Sequence, residues 1–351
     1  MPDRSDPRRR ARLLLLLLIG AAVLAALLGL CLGNIAISPE RVLGALFPPL
    51  GQQLSPTTSR FESSAVLDLR LPRVVLALLV GASLAQAGAA MQGLFRNPLA
   101  DPGLVGVASG AALAAALTIL LSHAVAPWAQ ALITPVAAFV GGLAVATAAS
   151  RVARSEGYTR VTTLLLAGLA ANALAAAGIG FIVSVADPGA LRSISFWMFG
   201  SLAKAGWREI AVGAPLMIGV LLWLPRQARA LNALLLGEAE ARHLGVDVEK
   251  LKRRLLTAIV LAVSCCVALS GLIGFIGLLA PHWVRLWAGP DHRLLLPASA
   301  LGGAALLAFA DLASRLAFAP QELPVGILTA ALGAPFFLYL LLRHRDRVES
   351  W

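Results

Sequence analysis

The chain has 351 residues, of which 59% are hydrophobic and only 13% are charged. Soluble domains carry about 25% charged residues, so this composition excludes an ordinary soluble domain and indicates a polytopic membrane protein. The net charge of +11 is also compatible with nucleic-acid binding. However, the basic residues lie at the ends of apolar runs, as in membrane proteins with basic cytoplasmic loops, so we expect no nucleic-acid partner.

The N-terminal segment is basic and then strongly apolar. Four arginines between positions 8 and 12 precede an uncharged stretch from Leu13 to Gly33. A secretory signal peptide is the alternative interpretation, but its apolar region is shorter than this one. We interpret the stretch as a retained first transmembrane helix.

Long runs without a charged residue follow along the rest of the chain. A helix needs roughly 20 apolar residues to cross the hydrocarbon core, and open strands would leave backbone groups unpaired in lipid. Two runs are long enough to hold two helices each, split near residues 123–128 and 271–277. The sequence therefore predicts an all-α polytopic membrane protein that forms one domain over residues 1–351, with about ten transmembrane helices. Their predicted ranges are 13–33, 74–95, 103–121, 128–150, 161–184, 208–225, 255–272, 276–288, 294–313 and 323–342.

The distribution of arginine and lysine favours one orientation of these helices. With the N-terminus inside, most of the 29 basic residues fall in the inside segments. Cytoplasmic loops are enriched in basic residues, so both termini are expected in the cytoplasm and the protein in the inner (plasma) membrane.

Small residues recur at helical spacing in several of the predicted helices. Gly81, Ala85 and Ala89 follow each other every fourth position, a pattern that lets helix backbones approach closely in lipid. Plain helix packing explains most such stripes. Asn172 in the fifth helix differs, because a polar side chain at mid-membrane should face protein or a cavity.

The longest polar segment on the predicted inside is the loop 226–254. Leu234, Ala241 and Leu244 fall near helical spacing, with glycines at 237 and 245. The pattern indicates two short amphipathic helices on the membrane surface. It suggests docking of a partner, whereas a loop that touches lipid headgroups is the alternative.

A few residue types raise the question of chemistry. The three cysteines lie inside apolar runs and are interpreted as ordinary buried residues. His282 beside Pro281 is interpreted as a hydrogen-bonded structural residue, with a ligand to an iron centre as the alternative. Asp311, one turn before Arg315, lies where it could pair with that arginine.

Catalytic signatures are missing from the sequence. None of the three lysines follows a glycine, so there is no phosphate-binding loop, and His-Glu-x-x-His and Gly-x-Ser-x-Gly are also absent. An intramembrane enzyme is therefore unsupported. A proton- or sodium-coupled secondary transporter remains an alternative, since it too uses small-residue and broken helices.

The chain resembles the FecCD-type permeases, the subunits of ABC importers for iron-siderophores, haem and vitamin B12. The resemblance runs over nearly the whole chain, and its motifs are weak singly but specific in their order. They are Arg70-Leu71-Pro72-Arg73, Gly81 to Ala85, Asn97 to Pro102, Trp197 with Gly200-Ser201, the segment 234–246, Gly274 to Gly277 with Pro281-His282, and Glu322 to Gly326.

The resemblance implies a type II ABC importer permease with ten helices and a homodimer whose pathway lies at the dimer interface. It implies two cytoplasmic ATPase subunits, which use the ATP, and one periplasmic substrate-binding protein. The chain itself would be neither an enzyme nor the carrier of a cofactor or metal. The fifth and tenth helices would line the pathway, which makes Asn172 and Tyr339 possible lining residues.

The resemblance also assigns residues to both partners. The loop 226–254 would be the coupling segment that contacts the ATPase. Its expected contact residues are Leu234, Gly237, Glu238, Ala241, Leu244 and Gly245. On the opposite face, Arg70, Arg73 and Arg315 match arginines that meet acidic residues of the binding protein.

The family's cargo is bulky, which predicts a large iron chelate. Haem is the first expectation, because the run 91–104 looks closest to the haem-uptake branch of the family. A ferric siderophore and cobalamin are the alternatives. Tyr339 is the one side chain of a haem-ligand type in the two pathway helices, so the lining offers little to bind iron.

Overall fold

The structure is a computed structural model that describes residues 7–33, 35–47, 59–121, 127–155, 158–319 and 321–343. These residues are almost entirely helical. The α-helices are α1 (Pro7–Cys31), α2 (Pro39–Leu46), α3 (Arg60–Ser64), α4 (Leu71–Phe95), α5 (Val107–Leu120), α6 (Pro127–Val152), α7 (Val161–Val185), α8 (Pro188–Met198), α9 (Trp207–Trp223), α10 (Ala228–Leu235), α11 (Glu238–His243), α12 (Val248–Ser270), α13 (Ile276–Ala288), α14 (His292–Leu316) and α15 (Val325–Arg343).

Short irregular segments complete the chain. A π-helical turn, Ala65–Arg70, joins α3 to α4, and 3-10 turns occupy Pro102–Val105 and Leu224–Gln227. A small antiparallel hairpin pairs β1 (Arg154–Ser155) with β2 (Tyr158–Thr159) between α6 and α7.

Each of the ten ranges predicted as transmembrane contains an α-helix, which confirms the all-helical membrane fold. Within the described residues, seven helical segments are long and apolar enough to cross a membrane, namely Arg9–Cys31, Arg60–Phe95, Leu132–Val152, Val161–Val185, Trp207–Leu235, Val248–Ser270 and His292–Leu316. Helices α5 and α15 are apolar but shorter, and α13 has only 13 residues. Length and composition alone therefore support seven crossings, and the other three remain a prediction.

Helix α4 lies at the centre of the bundle. In its most apolar window, 78% of the residues are buried, and it packs against α14, α12, α13 and α9. It runs antiparallel to α14, since Arg73 at its start meets Asp311 and Gly93 near its end meets His292. Lipid offers no hydrophobic drive between helices, so this packing depends on close backbone approach.

The predicted stripe of small residues forms that close approach. A Cβ added at Gly81 would overlap the backbone of Gly303 on α14, and a Cβ at Gly303 would overlap Ala85. Two turns after Gly81, a Cβ at Gly88 would overlap the backbone of Gly277 on α13. The stripe thus serves helix packing, as predicted.

Three helices keep a large apolar surface uncovered. Helices α1 and α7 have only 17% of their apolar windows buried, and α15 exposes Leu332 and Leu338. In a bilayer these faces contact lipid or another subunit.

Two non-glycine residues have left-handed backbone conformations where helices meet a turn. Arg96, with φ of 49°, ends α4, and the side chains of Asn97 and Asp101 then accept bonds from the backbone N–H groups of Leu99 and Gly103. The segment after α4 is therefore an ordered turn that is capped by its own side chains.

Phe275, with φ of 67°, precedes the first turn of α13. Its ring packs where Gly333 of α15 has no side chain, so a Cβ at Gly333 would overlap it. This contact sets how α15 lies against α13.

We name the two ends of the bundle by their residues. The Arg73 end is where α4 begins and α14 ends. The α10 end is where α4 ends and α14 begins.

Candidate functional site

A buried cluster of charged residues holds together the Arg73 end. Arg73 Nε donates to both carboxylate oxygens of Asp311, at 3.0 and 3.1 Å, and Arg73 Nη1 donates to Glu322 Oε2 at 2.7 Å. Asp311 is almost completely buried, whereas the side chain of Glu322 is 34% exposed. The cluster joins α4 to α14 and to the segment that precedes α15.

Arg315 completes this cluster from the next turn of α14. Its Nε lies 3.3 Å from Asp311 Oδ2, and its Nη1 donates to the backbone carbonyl of Gly29 on α1 at 3.2 Å. The predicted Asp311–Arg315 pair is therefore confirmed. The two arginines and the two carboxylates of this cluster neutralise each other. Buried charges need such partners, because removing an ion from water costs free energy.

Arg70 is bound to backbone rather than to a carboxylate. It is half-buried and donates to the carbonyls of Leu30 at 2.7 Å, Cys31 at 3.0 Å and Ile35. These carbonyls include the last ones of α1, which have no partner within the helix. Arg70 thereby caps the C-terminus of α1.

Two of the three arginines predicted to dock the binding protein are buried, and their docking role stays a prediction. Arg73 is 8% exposed and Arg315 is 4% exposed in a single chain, so neither offers its guanidinium to a partner in this conformation. Sequence alone could not show that Asp311 and Glu322 would draw Arg73 inward. The exposed cations near this end are Arg60, Arg192, Lys204 and Arg208.

The coupling segment forms the two short helices that the sequence predicts. However, the side chains that these helices bury and expose differ from the expected ones. Leu234 and Ala241 are buried, at 1% and 0% exposure, and attach α10 and α11 to the bundle. The large apolar side chains that remain exposed are Leu236 at 66% and Leu244 at 64%, with Leu235 at their margin. Leu234 and Ala241 therefore anchor the segment to the bundle, and their predicted contact with the ATPase stays a prediction.

The other residues predicted in this segment have structural roles that can be read directly. Gly237 links the two helices with φ of 126°, a conformation that side chains rarely adopt. Gly245 follows α11 with φ of 83° and is exposed. Glu238 lies 2.8 Å from the buried ammonium of Lys252 and 3.5 Å from Arg242, so it fixes α11 to α12.

A polar junction that the sequence did not reveal connects α10 to the start of α14. Asn232 Nδ2 donates to Asp291 Oδ1 at 2.6 Å, while Asn232 Oδ1 accepts from His292 N at 2.9 Å and lies 2.9 Å from His292 Nδ1. Burial acts to raise the pKa of Asp291, but bonds from Arg293 N and Asn232 outweigh it, so this pKa lies below its ordinary value.

The polar contacts continue from α4 into α13. Arg285 Nη2 donates to Gln92 Oε1 at 2.6 Å, and Gln92 Nε2 donates to the carbonyl of Gly277 at 3.2 Å. The next residue of α4, Gly93, lies against the ring of His292. A series of polar and close contacts thus runs from the coupling segment to Gly277 of α13. Gly277 lies two residues from Phe275, which contacts α15.

The two possible pathway residues lie on separate parts of one chain. Asn172 is half-buried on α7, which packs against α5 and α6, and its Oδ1 accepts from Ser109 Oγ at 2.6 Å. Tyr339 is 54% exposed on α15, which packs against α14 and α13. A single chain therefore does not bring them into one site.

No group of three or more potential metal ligands exists among the residues that the structure describes. Cys265 and Cys266 are buried in α12, where Cys266 Sγ lies 3.8 Å from Met217 Sδ. The ring of His282 packs edge-on against Phe336, with centroids 6.0 Å apart. These surroundings agree with structural roles for the three residues.

Comparison with known proteins identifies the family that has this architecture. A model of the FecCD transport family matches residues 15–343. The chain is 47% identical over 281 residues to the hemin transport system permease protein HmuU of Yersinia pestis, covering 80% of this chain and 84% of that protein. It is 46% identical over 279 residues to the cobalamin import system permease protein BtuC of Halobacterium salinarum, covering 80% and 73%.

Two further comparisons cover almost the full length. The vitamin B12 import system permease protein BtuC of Vibrio parahaemolyticus is 38% identical over 341 residues, which is 97% of each chain. A solved structure, described as an inward-facing conformation of a proposed metal-chelate type ABC transporter, aligns with a TM-score of 0.81 at 29% identity, covering 94% of this chain and 98% of that one. With the family model matching nearly the whole chain, this multi-pass membrane protein belongs to the FecCD transport family.

Proposed function

We propose that the chain is the permease subunit of an ATP-driven ABC importer that moves a bulky iron chelate, with haem as its cargo. The observation that carries this choice is the 47% identity with a hemin transport permease. Cobalamin is the second candidate, because two relatives at 46% and 38% identity are cobalamin or vitamin B12 permeases. A ferric siderophore is the third candidate within the same family.

The proposed assembly has two copies of this chain, each crossing the membrane ten times with both termini in the cytoplasm. Uncovered apolar faces on α7 and α15 support a second copy beside them, since large exposed apolar surfaces mark interaction sites or lipid contact. The pathway would run between the copies. Asn172 and Tyr339 would then meet across the interface rather than within one chain.

The α10 end would contact the ATPase. Leu236 and Leu244 offer an exposed apolar surface on a firmly anchored pair of helices, which suits a rigid coupling element. ATP hydrolysis would occur in two partner subunits, and this chain would bind no cofactor. Movement of α10 would pass to α14 through Asn232 and its bonds to Asp291 and His292.

The Arg73 end would receive the periplasmic binding protein. Exposed cations at this end would attract acidic groups of the partner and set its register. Arg70, Arg73 and Arg315 would support that surface by holding α1, α4 and α14 in place, with the Glu322 side chain at its rim.

Reconstitution in liposomes with the cognate ATPase and binding protein tests the proposal. Uptake of haem, a ferric siderophore and cobalamin would be measured in parallel, with and without ATP. We expect ATP-driven uptake of haem. ATP-driven uptake of another cargo, with haem no faster than without ATP, would replace the cargo but keep the importer. ATP-independent uptake driven by a proton or sodium gradient would overturn the importer itself.

A further inference from the structure

A cavity of about 590 Å³ opens at the α10 end, between the last turns of α6 and the first turns of α12. Its polar wall includes the last residues of the coupling segment, Asp247 to Arg253, but none from the short helices α10 and α11, the Asn232 junction or the two proposed pathway residues. Arg154 and Thr159 of the β-hairpin flank its polar side. The proposed function does not use this cavity.

The polar side of the cavity carries an excess of positive charge. Arg151, Arg154, Lys250 and Arg253 line it, and all four are exposed. Within the described part of the chain, none of them forms an ion pair. Four basic side chains that surround one cavity without a carboxylate partner form a site for an anion.

The two acidic residues that line the cavity are already engaged. Glu249 accepts from Thr159 N at 2.9 Å and pairs with Lys252 at 3.2 Å. Asp247 caps the start of α12 by accepting from Lys250 N at 3.0 Å. Their charges reduce the positive excess without neutralising the four basic groups, because four cations against two anions leave a lining of net charge +2.

The opposite side of the cavity is apolar. Leu143 and Ala146 of α6 face Leu256 and Val260 of α12, each further along its helix toward the membrane interior than the basic groups. The same stretch of α6 exposes Val136 and Val140, where lipid acyl chains would lie. The cavity is thus cationic at the helix ends and apolar toward the bilayer core.

We propose that this cavity binds an anionic phospholipid, with its phosphate among the four basic side chains and its first acyl segment on the apolar wall. The phospholipid matches the cavity both in the chemistry of its groups and in their order along the membrane normal. A phospholipid in the leaflet presents its charge at the helix ends and its chains toward the core, in the order that the cavity requires. An anionic cargo shares the charge but lacks acyl chains to extend along the exposed side of α6 at Val136 and Val140.

Native mass spectrometry of the delipidated, detergent-purified chain tests the site. It would be titrated separately with phosphatidylglycerol and phosphatidylcholine. The variant R151Q/R154Q/R253Q removes three of the cavity's charges, and R160Q/R229Q/R254Q removes three exposed arginines that do not line it. We expect phosphatidylglycerol to bind the cavity variant about a hundredfold more weakly and the control variant with nearly the parent affinity, since each basic group near a membrane surface contributes about fivefold.

A second variant keeps every charge. Thr257 is exposed and lines the cavity, so Thr257→Trp would fill it and should also weaken phosphatidylglycerol binding. Equal losses of phosphatidylglycerol affinity in the cavity and control variants would show that diffuse surface charge causes the binding, and would overturn the proposal. Unchanged binding in Thr257→Trp would overturn it as well. Displacement of the phospholipid by free haem would assign the cavity to the cargo instead.

Discussion

The guanidinium of Arg73 binds the carboxylate of Asp311, which lies 238 positions later in the sequence, through Nε at 3.0 and 3.1 Å and through Nη2 at 2.9 Å. The pair connects the first turn of α4 to the last turns of α14. Both partners are buried, so water contributes little to screening or solvating them. The bond therefore fixes the antiparallel register of the two central helices at the Arg73 end.

Asp311→Asn should destabilise the protein strongly. The change keeps the shape but removes the charge that faces both Arg73 and Arg315, and a buried pair that loses one partner costs about 3–5 kcal/mol. Thermal unfolding of the purified protein in detergent would measure the loss. Asp68→Asn, at an exposed aspartate near the same end, is the matched control and should change little. Equal melting temperatures for the two variants would contradict the role given to the cluster.

Leu236→Asp and Leu244→Asp should strongly weaken ATPase binding while the protein still folds. Both side chains are exposed, so a charge costs little in the free subunit but disrupts an apolar contact with a partner. Co-purification of the ATPase should fall by about tenfold or more, as for a central interface residue. Leu234→Asp is the contrasting variant, because that leucine is buried and its loss should reduce the amount of folded protein. Normal ATPase binding by both surface variants would exclude this surface as the contact.

Asn232→Ala should weaken the coupling of ATP hydrolysis to uptake. The change leaves Asp291 and His292 without their bonds to α10, at a cost of about 1–3 kcal/mol for the groups left unsatisfied. In reconstituted vesicles, ATP should still be hydrolysed while less cargo enters per ATP. Arg229→Ala, at an exposed position on the same helix, should keep the parent ratio. An unchanged ratio in Asn232→Ala would show that α10 acts on the bundle by another route.

The same glycine-to-alanine change should have opposite effects at two sites. At Gly81 the added methyl group would overlap the backbone of Gly303, so Gly81→Ala should push α4 from α14 and lower stability, by about 1–3 kcal/mol for overpacking. At Gly219 on α9 there is nothing within 4 Å, so Gly219→Ala should be neutral or stabilising by up to about 1 kcal/mol. The melting temperatures of the two variants, measured by thermal unfolding, would test these expectations. Equal gains of stability at both positions would show that helix propensity, and not a packing contact, governs Gly81.

The sequence predicted the helices well because the membrane imposes a simple rule of length and apolarity. The range predicted for the fifth helix, 161–184, differs by one residue from α7, and 276–288 coincides with α13. The stripe at Gly81 and the pair of Asp311 with Arg315 were also predictable, since both follow from spacing within one helix.

The candidate sites were less predictable, because burial depends on which segments pack together. Leu234 was expected at a surface, but α10 turns that side chain into the bundle and exposes Leu236 instead. Arg73 was expected to be exposed, but a carboxylate 238 positions away holds it inside. The junction at Asn232 joins residues 59 and 60 positions apart, and nothing in the local pattern of either segment indicates that contact.

The glycine contacts of α4 also restrict how an alternating-access cycle can proceed. Where Gly81 meets Gly303 and Gly88 meets Gly277, only hydrogen atoms separate the backbones, so a slide of a fraction of a turn would bring a side chain into a peptide group. We therefore expect α4, α13 and α14 to travel as one unit throughout the cycle. Gly168 of α7 and Gly326 of α15 make similarly close contacts with the backbone of Leu104 and Phe199, so these two helices would have to carry those neighbouring segments with them when access changes.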